Sequence, residues 1–114
     1  MQAVEINAGT WYLRALRADD RISDVPALSD LGVDDPAGYV STADRNWAGE
    51  TEFVWAICIP TTGELIALIG VTRDGETGHL WARARSGYDE AVEVATGPVT
   101  RFAEGALGLT VEPA

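Results

Sequence analysis

The chain has no lysine at all. Its eight basic residues are all arginine, set against eighteen Asp and Glu in 114 residues, and the formal net charge is −10. Without lysine there is neither a Walker-type phosphate lysine nor Schiff-base chemistry. The same balance makes nucleic acid and anionic membranes unexpected partners, because both are repelled at long range; a basic partner or plain solubility fits better. A lone cysteine, Cys58, rules out an intramolecular disulfide. It lies in an apolar strand pattern, where a thiol is more often buried and inert than reactive. The lone histidine, His79, follows a glycine-rich turn and reads as solvated rather than as a general base. MQAVEINAG has no basic leader and no run approaches the ~20 apolar residues of a membrane span, so no membrane partner is expected and the expected location is cytoplasmic.

What is present is ordinary globular material. Hydrophobic residues are 46% of the chain and charged residues 23%, which argues against disorder, and the length suits one domain with a single core. TWYLRALR, residues 10–17, alternates Trp11, Leu13 and Ala15 against Tyr12, Arg14 and Leu16 and reads as a strand. Asp19 or Asp20 is placed to cap a helix through Ile22, Val25, Leu28 and Leu31, limited in regularity by Pro26 and ended by Gly32. Asp34-Asp35-Pro36 marks a turn or helix start, and Ala37 to Trp47 shows too little periodicity to assign. Asp34, Asp35, Asp44 and Arg45 read as a solvated face.

Glu52 to Ile59 is apolar on both alternating faces, as a central strand covered on two sides should be. Pro60-Thr61-Thr62-Gly63-Glu64 turns the chain, and Leu65 to Thr72 returns as a second apolar strand of an antiparallel hairpin. Residues 73–78 form a polar turn. Gly97-Pro98 reads as a break, with Pro98 opening a helix whose apolar face is Val99, Phe102, Ala103, Ala106 and Leu107, up to Gly108.

The stretch between, WARARSGYDEAVEVA from Trp81 to Ala95, supports two readings. Residues 78–96 are either a strand, a Gly/Ser/Arg loop and a helix start, or a hairpin of two alternating runs around Ser86-Gly87-Tyr88-Asp89. In the first reading the outward amides of a helix N-terminus make an anion cradle; in the second there is none.

Trp81-Ala82-Arg83-Ala84-Arg85-Ser86-Gly87-Tyr88-Asp89-Glu90-Ala91-Val92 resembles the acetyl-CoA loop of GNAT N-acetyltransferases of the ribosomal-protein-acetylating type, roughly W-A-R-G-x-G-Y-x-T-E-A-V. LRALRADD resembles the L-R-P-L-R-x-x-D opening of that family, FVWAICIPTTGELIALIGV its central hairpin, and Leu107-Gly108-Leu109 its L-G-L before a strand. The resemblance implies an α+β fold of α/β-type GNAT-like layout, a mostly antiparallel sheet with flanking helices. It implies acetyl-CoA held by Arg83, Ala84, Arg85, Ser86, Gly87 and Tyr88, and a small-molecule or peptide amine as acceptor. It marks no catalytic residue and no metal ligand. Ala84 and Ser86 replace both loop glycines, and a Cβ hinders a backbone that must approach a pyrophosphate or adopt positive φ, so weak cofactor binding is expected. The fourth family strand is expected to be short here. The family continues for a helix and two strands beyond this pattern, so the domain is expected to be truncated at the C-terminus, lacking the last third, and to form a homodimer that covers the gap. The alternative function is a non-catalytic acidic binding, dimerisation or immunity-type module.

Overall fold

The hairpin at the centre of the chain forms as its apolar runs dictate. In the structure, a computed structural model that describes Met1 to Pro113, β3 (Glu52–Cys58) pairs with β4 (Leu65–Asp74) from Glu52↔Thr72 to Cys58↔Leu65, with an irregularity at Ile57/Cys58. Phe53, Trp55 and Ile57 are buried on one face and Val54, Ala56 and Cys58 on the other. Two layers of helix are needed to cover such a strand pair. α1 (Val25–Asp30) and α2 (Pro36–Gly49) cover one side, and α3 (Asp89–Gly105) covers the other.

Around this pair the sheet has six strands in sequence order: β1 (Ile6–Ala8), β2 (Trp11–Arg14), β3, β4, β5 (Thr77–Ala84) and β6 (Thr110–Pro113). All neighbours are antiparallel except β5 and β6, which α3 joins as a parallel pair. The expected mostly antiparallel α+β sheet with flanking helices is the one observed.

On β3, β2 pairs with Ala56–Cys58 alone, so among the described residues the first half of β3 has no strand on that side. Trp47, from the end of α2, fills the gap. Its Nε1 donates to the Val54 carbonyl at 3.0 Å, and its ring meets Phe53 and Trp55 edge-on at centroid distances of 5.1 and 5.0 Å. A carbonyl that would be orphaned is satisfied, and the aromatic edges close the core there.

Several local expectations are corrected. The strand expected over residues 10–17 is the second, β2, preceded by β1, and it ends at Arg14, where the guanidinium turns into a buried bidentate pair with Asp24, both contacts 2.9 Å. The first helix starts at Val25 rather than near Ile22, with Pro26 in its first turn. Asp19 does not cap it: its carboxylate accepts from the amides of Arg21 and Ile22 and from Arg17, and these bonds, Arg17 first, hold its pKa at about 2. The unassigned stretch after Pro36 is a regular 14-residue helix, begun by Asp35 accepting from the Gly38 amide at 3.3 Å. Gly97-Pro98 is no break. α3 runs through it, burying Ala91, Ala95, Val99 and Ala103 against the sheet. Pro98 removes the donor for the Val94 carbonyl, and Val94 lies on the exposed side of the helix. β5 is not short: its turn from β4 is confined to Gly75-Glu76, with Gly75 at φ +62°, and the strand has eight residues.

Candidate functional site at the fork between β5 and β6

β6 pairs with the first half of β5 through all four of its residues. Their ladder runs from Thr77↔Thr110 to Leu80↔Pro113, whereas Trp81 to Ala84 pair only with Gly70 to Ala67 of β4. Among the described residues, the β6-side backbone groups of that second half of β5 have no strand partner, and this open stretch beside β5 is hereafter the fork. Such an edge invites an extended ligand that can supply main-chain-like hydrogen bonds.

The open end of the fork leads into the loop Arg85–Tyr88 and the start of α3, which settles the choice between helix start and hairpin in favour of the helix. Gly87 makes the turn at φ +88°, and the Tyr88 amide closes it on the Arg85 carbonyl at 3.0 Å. The amides of Ser86, Gly87, Asp89 and Glu90 meet no acceptor among the described residues. Four free donors at the head of a 17-residue helix fit a phosphate or pyrophosphate group. The one positive φ that the loop needs falls on its remaining glycine, while Ala84 ends β5 and Ser86 is exposed, neither of them at positive φ.

The side chains of the loop have other work. Arg85 donates to Asp30 Oδ2 at 2.8 Å and to the Leu65 carbonyl at 3.2 Å, with Glu64 3.7 Å away. Arg83 donates to the Leu31 carbonyl at the end of α1. Both guanidinium groups thus tie the loop to α1 and to the start of β4. Tyr88 lies half-buried, its ring edge-on to Trp11 at 6.3 Å, and anchors the loop to β2. A cleft of about 350 Å³ beside the loop is lined by Asp30, Glu64, Arg85, Ser86 and Tyr88. Of the six residues assigned to cofactor binding from sequence, Ser86 and Gly87 offer free amides, Arg83, Arg85 and Tyr88 position the loop, and Ala84 lines the fork.

On the α2 side of β5, burial raises the Tyr39 hydroxyl's pKa, Glu52 adds to the rise and Arg83 offsets part of it. At the end of β3, between β2 and β4, burial pushes the Cys58 thiol up to about 12, in keeping with an inert residue. No helix among the described residues is long and apolar enough to cross a membrane, and no cluster of His, Cys, Asp and Glu among them is arranged to hold a metal ion.

A sheet of this order, mostly antiparallel with α3 joining the parallel pair β5 and β6, has the fold of GNAT acetyltransferases, and solved structures show the likeness directly. A proposed ribosomal-protein-serine acetyltransferase from Vibrio cholerae superposes with a TM-score of 0.78 at 14% identity, over 99% of this chain and 75% of that one. An acetyltransferase from Agrobacterium tumefaciens gives 0.69 at 20% identity, over 96% and 71%. A ribosomal-protein-S5-alanine acetyltransferase from Vibrio fischeri gives 0.70 at 13% identity, over 96% and 73%. No family model and no curated protein sequence matches the chain, so the likeness rests on the fold.

Proposed function

We propose that the chain binds acetyl-CoA and transfers its acetyl group to a primary amine on a small molecule or peptide. The observation that carries this reading is the continuity of the fork with the free amides of Ser86, Gly87, Asp89 and Glu90. Those amides would hold the pyrophosphate, and the unpaired edge of Trp81 to Ala84 would hold the extended arm beside the exposed Ala82. When bound, acetyl-CoA supplies an activated thioester. The protein's own contribution is orientation: the arm is laid along the unpaired edge of β5. A buried thiol and an acidic surface suit a cytoplasmic protein. Isothermal titration with acetyl-CoA and with CoA, followed by an amine-acceptor turnover assay, tests the reading.

A second reading is a non-catalytic acidic binding module. Asp89 and Glu90 in the first turn of α3, with Asp30 and Glu64 beside the loop, oppose a phosphate, and both nearby arginines are engaged. On this reading acetyl-CoA gives no heat at millimolar concentration. In either case we propose a homodimer through the outer edge of β6, which pairs only with β5 among the described residues. Light scattering at high micromolar protein and moderate salt should report twice the monomer mass; a monomer would refute it.

A further inference from the structure

Four strands place polar side chains in a single row on the α2 side of the sheet. Glu52 stands opposite Thr72, Thr72 opposite His79, and His79 opposite Glu112. Cross-strand partners share a face, so the row is continuous from β3 to β6. The Thr72 hydroxyl donates to Glu52 Oε2 at 2.7 Å. His79 Nδ1 lies 3.8 Å from Glu112 Oε2, its Nε2 lies 3.9 Å from Asp74 Oδ2, and its side chain is 46% exposed. The charged groups facing the imidazole are therefore Asp74 from β4 and Glu112 from β6, with Glu52 two strands away.

The next row along the same face is Val54, Gly70 and Trp81. There the β5–β6 ladder has just ended, so the polar row borders the closed end of the fork. Trp81 covers Gly70 so closely that a Cβ at residue 70 would stand 2.5 Å from a ring carbon. The partly buried indole, packed against the α2-side core, gives an apolar floor next to a histidine flanked by two carboxylates. Carboxylates attract an ammonium group, and imidazole is the side-chain type that exchanges a proton near neutral pH.

We propose that His79 takes the proton from an amine bound over Trp81, with Glu112 stabilising the imidazolium that results. The inference rests on the acyltransfer reading above and names the residue that readies the acceptor. An amine arriving as ammonium gives one proton to His79, which passes it to water. The freed lone pair forms the amide bond, the carbon–sulfur bond breaks with its electron pair on sulfur, and the second amine proton neutralises that thiolate.

Because His79 is the only histidine, its ring protons can be followed alone by NMR in the intact chain. Benzylamine serves as the amine probe. It should shift the His79 ring resonances saturably, and Glu112→Gln should weaken that saturable shift by removing a carboxylate that attracts the ammonium group. In turnover, His79→Gln should lower kcat by about 10²–10⁴-fold, remove the acid limb of the pH profile and leave the KM for acetyl-CoA unchanged. Benzylamine that leaves the His79 resonances unmoved would overturn the proposal, as would a His79→Gln variant that turns over within twofold of the parent. Absence of acetyl-CoA binding strikes the acyltransfer reading instead, and the benzylamine shift then still decides whether this row receives an amine.

Discussion

The two halves of the sheet are held by different means. From β1 to β4, the structure is fixed several times over: Trp47, Phe53, Trp55 and Phe102 interlock edge to face, and Trp55 Nε1 donates to the Val4 carbonyl at 2.7 Å. On the other side of β2, Arg14 binds Asp24 and the Gly63 carbonyl, so one buried side chain joins α1, β2 and the β3–β4 turn. From Trp81 to Tyr88, by contrast, β5 is paired on its β4 side alone among the described residues, and the four-residue loop is tied by Arg83 and Arg85 to the exposed end of α1. The difference shows where ligand binding can be built: the unpaired half of β5 leads straight into free amides at a helix head, while the other half of the fold carries the stability.

The largest effect should come from breaking the closed half. Asp24→Ala leaves Arg14, 4% exposed, as an uncompensated buried charge and should cost about 3–5 kcal/mol in urea unfolding. Trp55→Ala, at a fully buried position, should cost about 3–5 kcal/mol, close to the first and independent of it. A melting temperature within a degree or two of the parent would show the aromatic cluster to be dispensable. In the fork half the expected cost is smaller and its readout differs. Gly87→Ala forces a side chain into φ +88°, should cost about 1–2 kcal/mol, and should weaken CoA binding more than it weakens the fold. Least of all, Ser86→Gly should change stability by no more than about 0.5 kcal/mol, since Ser86 is exposed and not at positive φ. If instead it tightened CoA binding tenfold, the missing glycine would be the reason for weak affinity after all.

The closed half was also the more legible in sequence, for a physical reason. Apolar runs on both faces of residues 52–59 and 65–72 permit little but a covered hairpin, and it forms as read. α2 was not legible, because only Ala43 and Trp47 are buried along it and Trp47 serves the other face of the sheet. Asp24 was passed over for Asp19 and Asp20, since sequence spacing shows a cap but not a buried arginine waiting ten residues back. The break assigned at Gly97-Pro98 failed because the cost of proline in a helix depends on what its orphaned carbonyl faces, and Val94 is on the exposed side. In the fork half, loop and helix were one of two readings of the same letters. The row from Glu52 to Glu112 was not visible, because its last member is set beside His79 by a parallel pairing across the whole of α3.

The most direct test of the account is isothermal titration of the intact chain with acetyl-CoA at moderate salt. A fork ending in four free amides but flanked by carboxylates predicts saturable one-to-one binding near 100 µM, about −5.5 kcal/mol, with CoA competing. No heat at millimolar acetyl-CoA would contradict it and leave the acidic binding module as the reading of this fold.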